Sequence, residues 1–145
     1  MANDNGKTVK IKLVSSIIPT EGELEKYEMW LEGSCIEKGG NHYLRYEEVQ
    51  EDIQIQTTIK LNDKRGFINR SGGVNMRLPL NPGMHENGHY ESPFGSLPLI
   101  TNTHQLAIDV TQNESVSGRF NAQYDLIIGG NSVGRYTLDI QFTEV

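Results

Sequence analysis

The sequence is short of cysteine and of long apolar runs, and each shortage argues against a class of protein. A single cysteine, Cys35, leaves no partner for an intramolecular disulfide, which argues against a disulfide-stabilised secreted scaffold. The opening residues 1–10 lack the apolar segment of a secretory signal. No stretch approaches the roughly 20 apolar residues of a membrane helix. We therefore expect a cytoplasmic protein with no membrane partner.

Positive charge is also scarce, with 13 lysines and arginines against 19 aspartates and glutamates and a net charge of −6. That sign opposes the neutralisation of phosphates on which nucleic-acid binding depends, so we expect no nucleic-acid partner. The apolar fraction is only 36%. Its residues nevertheless fall at alternating positions, which is typical of a folded chain rather than a disordered one.

Helical periodicity is missing, because no segment repeats its apolar residues every three to four positions. Instead, apolar and polar residues alternate, as at Val9, Ile11 and Leu13, which predicts half-buried β-strands. The same alternation recurs over residues 53–61, 74–80, 120–128 and 136–142. We interpret 96–102 and 105–111 as two further short strands, and the acidic run 47–52 as a solvated strand end and loop.

About ten short strands separated by turns predict an all-β fold, which is either a sandwich or an up-and-down barrel. We favour a single antiparallel barrel of roughly eight to ten strands, because short hairpins suit a meander and closure removes exposed edges. A two-sheet sandwich is the alternative. Residues 1–7 are polar and predict a flexible terminus, so the barrel domain is expected to span residues 8–145.

The segment MHENGHYE, residues 84–91, contains the H-E-x-x-H string of many zinc proteases. That chemistry needs a helix, which places His85 and His89 one turn apart with Glu86 beside the metal-bound water. Here the string contains Asn87 and Gly88, a strong turn dipeptide, and no amphipathic helix surrounds it. We therefore interpret the segment as a loop and expect neither a metal nor another cofactor.

Arg70 and Ser71 precede a Gly-Gly pair at 72–73, where the chain enters a predicted strand. One interpretation is structural, with both side chains satisfying backbone groups at a tight hairpin. In the functional interpretation, Arg70 lies at a barrel mouth and anchors an anion or another polar ligand group, with Ser71 beside it. Both interpretations stay open on the sequence.

Tyr124 shares a strand face with Phe120 and Leu126, so its hydroxyl should point into the barrel, where a buried phenol needs a partner. We expect a cavity of about 300 Å³ or more lined by Tyr124 and Met76. Tyr90 and Phe94 lie on a turn-rich segment and are expected to cover its mouth. A packed core holding an internal Tyr–Arg hydrogen bond is the alternative.

Three segments carry a resemblance to a known family: RSGGVNM, YESPFGSLPLITNTHQL and YDLIIGGNSVGRYTLDIQF. In these segments, and in order from Thr8 to Phe142, the chain resembles the YwiB-like family of bacterial β-barrel proteins. The resemblance implies a calycin- or lipocalin-like barrel and a cytosolic location. It implies no established activity and no catalytic residues.

The function expected from the sequence is a binding module for a small, largely apolar molecule. Two alternatives remain at this stage: a small-barrel enzyme that performs proton transfer or lyase chemistry, and a side-chain-filled barrel that acts on a protein partner through its outer surface. The number of polar side chains inside the barrel separates them. One or two favour binding, whereas a hydrogen-bonded cluster of Arg, Tyr and carboxylate favours catalysis.

Overall fold

The alternating segments fold into strands throughout a computed structural model that describes residues 6–145. The strands are β1 Lys7–Pro19, β2 Glu25–Lys38, β3 Asn41–Gln50, β4 Ile53–Leu61, β5 Gly66–Gly72, β6 Asn75–Leu80, β7 His85–Ser92, β8 Gly95–Gln112, β9 Val116–Ile128 and β10 Asn131–Glu144. Residues 1–5 of the predicted flexible segment lie outside the described residues. Within 6–145, no helix is long and apolar enough to cross a membrane.

Each strand pairs with its neighbours in the chain, and β1 pairs with β10, so the sheet closes on itself. All of these pairings are antiparallel. The predicted meander barrel is confirmed, and the two-sheet sandwich is wrong because the ring of strands is continuous. Ten strands place the barrel at the upper limit of the predicted number.

Antiparallel order gives the barrel two distinct ends. We call the end that carries the β1–β2, β3–β4, β5–β6, β7–β8 and β9–β10 connections the upper end, and the opposite one the lower end. Several upper connections use glycines in the left-handed region of φ, as at Gly129 and Gly130, which only glycine adopts without steric cost.

The core fills the barrel from the lower end upward. Because side chains alternate in direction along a strand, one face of each predicted alternating segment points inward. The side chains with almost no exposed surface are Val9, Ile11, Leu44, Ile59, Leu80, Leu99, Phe120, Ile140 and Phe142. Burial of each large apolar side chain contributes about 1.5–3 kcal/mol, so this layer stabilises the closed ring.

Strand β8 differs from the sequence prediction. It runs without interruption from Gly95 to Gln112, where two short strands were expected. Its register against β9 shifts between Thr103 and Gln105, which makes His104 an extra residue in the ladder. Such a bulge bends a strand while pairing continues on both sides of it, so a break in the apolar alternation did not mark a strand end here.

Strands β2 and β3 pair along only part of their length. Their ladder runs from Lys38–Asn41 to Gly33–Tyr46. Beyond that rung β2 continues to Glu25 beside β1, and β3 continues to Gln50 beside β4. The two strands therefore diverge toward the upper end.

Candidate functional site

A cavity of about 410 Å³ occupies the upper half of the barrel. Its walls are mainly apolar and include Leu13, Met29, Ile68, Met76, Leu126 and Leu138. The expectation of a cavity above about 300 Å³ lined by Tyr124 and Met76 is confirmed, and its volume lies within the usual range for small-molecule sites. The barrel interior is therefore not filled by side chains.

Polar side chains converge on one part of this cavity. Arg70 and Glu48 form an ion pair on its wall, with Arg70 Nη2 3.4 Å from Glu48 Oε2. Four tyrosines line the same cavity: Tyr27, Tyr46, Tyr124 and Tyr136. Tyr124 and Tyr136 are paired on neighbouring strands, and their rings stack with centroids 5.4 Å apart.

Burial makes the phenols of this cluster hold their protons more tightly. Burial raises the pKa of Tyr124, and the neighbouring Tyr136 and Tyr46 phenols raise it further, while Arg70 opposes the shift. Burial also raises the pKa of Tyr46, the Glu48 carboxylate adds to the effect, and Arg70 again opposes it. Both phenols are therefore hydrogen-bond donors at neutral pH rather than bases.

Three of the residues predicted for a ligand site line the cavity, namely Arg70, Met76 and Tyr124. Tyr124 is only 5% exposed, so its predicted inward direction is confirmed. The Tyr–Arg hydrogen bond belonged to the alternative of a packed core, and in this structure Arg70 contacts Glu48 instead.

The structure places the other three predicted residues away from the cavity wall. Ser71 follows Arg70 in β5 and therefore points outward, where it is exposed. Phe94 is 99% exposed on the turn between β7 and β8, so it covers no mouth in this structure. Tyr90 is half-buried and packs against the core without lining the cavity.

Sequence reasoning missed Glu48 and Tyr46 as cavity residues. The acidic run 47–52 was interpreted as solvated, yet Glu48 is 8% exposed. The signal that identifies it is position, since Leu44, Tyr46 and Glu48 fall on alternate residues of β3 and so share the inward face.

The H-E-x-x-H segment forms strand β7, so its interpretation as a loop is wrong. In a strand, residues four apart lie about 13 Å apart along the chain, so His85 and His89 share the outer face but cannot bind one zinc ion. Glu86 points the other way and accepts a hydrogen bond from Asn81 Nδ2 at 3.0 Å. Among the residues that the structure describes, no group of three His, Cys, Asp or Glu is placed to hold a metal.

Fold and cavity together define a class of protein: a closed, ten-stranded antiparallel barrel with a largely apolar chamber at one end. The family described as a domain of unknown function, DUF1934, matches residues 11–140. The chain belongs to this family.

Comparison with known proteins confirms the resemblance seen in the sequence. The chain is 26% identical over 129 residues to the uncharacterised beta-barrel protein YwiB of Bacillus subtilis (strain 168), a match that covers 89% of each chain. It is also similar to the crystal structure of the B. subtilis ywiB protein, with a TM-score of 0.83 and 24% identity over 97% of this chain and 93% of the other. This structural likeness shows a shared fold.

Proposed function

We propose that the protein binds a small, largely apolar molecule in the upper cavity. The observation that carries this proposal is a chamber of about 410 Å³ whose wall is mostly aliphatic and in which a few polar groups are concentrated. Ligand sites have this composition, because apolar walls supply affinity and a small number of polar groups fix orientation.

The polar cluster favours an uncharged polar group at one end of the ligand. Arg70 and Glu48 balance each other in charge and are 3.4 Å apart. A carboxylate or an ammonium group on the ligand would have to lose its hydration. It would also be repelled by the member of the pair that carries the same sign of charge. A hydroxyl, carbonyl or amide group can instead accept from the guanidinium or from the phenols of Tyr124 and Tyr46.

A second candidate is proton-transfer catalysis, and the presence of Arg70, Glu48 and tyrosines in one cavity is the observation that favours it. Two features argue for binding instead. The pKa of Tyr46 and that of Tyr124 are raised, away from the range near neutral pH in which a general base works best. None of the four histidines lines the cavity.

A cavity-filling substitution tests the binding proposal. Met76 lines the cavity, whereas its neighbour Asn75 is exposed on the outer face of the same strand. We expect Met76→Trp to weaken the binding of N-phenyl-1-naphthylamine, an uncharged apolar fluorophore, by tenfold or more. We expect Asn75→Trp to change it by less than twofold, as measured by fluorescence titration.

Arg70→Met provides a second arm, in which a ligand with a terminal hydroxyl is compared with its alkane analogue. Loss of preference for the hydroxyl is expected, since Arg70 is the strongest donor in the cavity. Saturable binding that Met76→Trp leaves unchanged, or no saturable binding by the unaltered protein, contradicts the proposal.

A further inference from the structure

The wall of the barrel has a gap between β2 and β3. Beyond the rung Gly33–Tyr46, residues 25–32 of β2 and 47–50 of β3 keep their outer partners, β1 and β4. Along the edges of β2 and β3 that face each other, alternate residues direct their backbone N–H and C=O groups into the gap. Because buried backbone groups are almost always hydrogen-bonded, these edges need contact with solvent.

Like charge gives a physical reason for the divergence. If the register Gly33–Tyr46 continued, Glu32 would lie directly opposite Glu47. Both side chains are exposed on the outer face, and like charges directly opposite each other destabilise an antiparallel pair. Gly33 itself allows the last rung to form, since a Cβ at this position would clash with the carbonyl oxygen of Arg45.

The cavity extends to the gap from inside the barrel, and a cleft on the outer surface extends to it from outside. Glu28 belongs to the outward face of β2, where it contacts Lys12 at 3.6 Å, yet it also lines the cavity, which therefore extends to the free edge of β2. On the outer surface, a cleft that includes Glu32 and Glu47 shares Tyr46 and Thr57 with the cavity. These two buried residues therefore form part of the wall between the cleft and the chamber.

We propose that ligands enter and leave the cavity sideways, through the gap between residues 25–32 of β2 and 47–50 of β3. This inference rests on the proposed binding function. The rival route is the upper end of the barrel, between the loops.

A reversible cross-link distinguishes the two routes. Glu32→Cys with Glu47→Cys, when oxidised, ties the two strands at the first missing rung, across the outer cleft that both positions line. Thr20→Cys with Ser132→Cys is the matched control, since the Thr20 and Ser132 hydroxyls lie 2.8 Å apart and a bond there ties the β1–β2 connection to β10 at the upper end. The association rate constant of N-phenyl-1-naphthylamine is measured by stopped-flow fluorescence before and after reduction.

We expect oxidation of the Glu32/Glu47 pair to slow association at least tenfold, with recovery on reduction, and oxidation of the control pair to change it less than twofold. The reverse pattern, or equal rates in all states, overturns the lateral entrance while leaving the binding function intact. Absence of saturable binding by the unaltered protein contradicts the binding function, and the entrance with it.

A second variant keeps the test decisive if the cysteines do not join. Glu47→Trp places a large ring in the outer cleft whether or not the strands move, and Glu47→Gln removes the same charge without added bulk. We expect association to slow at least fivefold in Glu47→Trp and less than twofold in Glu47→Gln. Equal rates for the two variants, in the absence of a cross-link, also overturn the lateral entrance.

Discussion

Arg70 and Glu48 lie inside a mostly aliphatic chamber, where an ion pair is costly to form and still more costly to break. The side chain of Glu48 is 9% exposed and that of Arg70 is 28% exposed. For charged side chains buried to this extent, the attraction between the two charges offsets their loss of hydration only while both are present. Their presence therefore favours a functional role over a stabilising one.

We expect Arg70→Met to lower the free energy of unfolding by about 1–3 kcal/mol, because it removes the guanidinium that faces the Glu48 carboxylate. The double variant Arg70→Met, Glu48→Met should recover most of that loss, since two apolar side chains need no hydration. Urea unfolding curves measure both effects. A double variant less stable than Arg70→Met would show that the pair is a net source of stability.

Cys35 is a buried thiol, and burial raises its pKa to about 11 from an ordinary value of 9.0. Because only the thiolate reacts, we expect alkylation of the folded protein near pH 8 to be roughly a hundredfold slower than that of the unfolded chain from ionisation alone. The rate should rise about tenfold per pH unit up to about pH 11. Fast, pH-independent labelling of the folded protein would contradict this expectation.

The same raised pKa links Cys35 to stability. The folded protein holds the thiol proton more tightly than the unfolded chain does, so the contribution is complete below about pH 9 and is lost as the pH rises toward 11. Cys35→Ala should remove this part of the pH dependence, which unfolding curves at pH 8 and pH 10.5 detect.

Single residues show what the sequence could reveal of the site. The direction of Tyr124 followed from alternation, because Phe120 and Leu126 fix the inward face of its strand. The burial of Glu48 did not, because its neighbours are acidic and a run of charges is normally solvated. Its partner Arg70 lies 22 positions away in the chain, and only the register of β3, β4 and β5 brings the two together.

At the scale of elements, β7 shows how tertiary pairing overrides local preference. Asn87 and Gly88 form a strong turn dipeptide, yet both lie within a strand that pairs with β8 along its whole length. Gly88 fits there for another reason, because a Cβ would clash with the carbonyl oxygen of Arg77. The dipeptide favoured a loop on the sequence, but in the structure the glycine is needed because two strands approach each other closely.

The extended form of β7 gives a metal prediction. Because His85 and His89 are about 13 Å apart along a strand, we expect protein purified without added metal to contain far less than one zinc per chain. Chelator should leave its melting temperature unchanged. Mass spectrometry of metal content and thermal unfolding with and without chelator measure these. Stoichiometric zinc that is lost on His89→Ala would contradict the strand geometry.

At the scale of the whole molecule, closure depends on β1 and β10, whose ladder runs from Val9–Glu144 to Pro19–Gly134. The sequence predicted a closed barrel from its short hairpins, but it could not identify which rungs are absent. The gap between β2 and β3 depends on register across the strands, and the apolar alternation of each strand is the same whether or not its neighbour stays paired.

Closure predicts tolerance to circular permutation. The backbone N–H of Val145 donates to the carbonyl oxygen of Thr8 at 3.0 Å, so residues 6 and 145 can be joined by a short glycine-rich linker. We expect a permutant that begins at Gly40, in the exposed β2–β3 turn, to give the same β-type circular dichroism spectrum and to unfold cooperatively. Deletion of residues 131–145 should abolish folding, since it exposes two strand edges.

The β1–β10 ladder joins the first strand to the last, so it can form only after both have been synthesised. A ribosome that adds roughly 5–20 residues per second completes β1 on the order of ten seconds before its partner β10 exists. Throughout that interval the edge of β1 that will meet β10 has no strand beside it, and an uncovered edge invites pairing with other nascent chains. Lys10 and Lys12 point outward from that strand. Their charges oppose such pairing until β10 has been synthesised. This edge is open to aggregation during synthesis, whereas in the finished barrel β10 covers it.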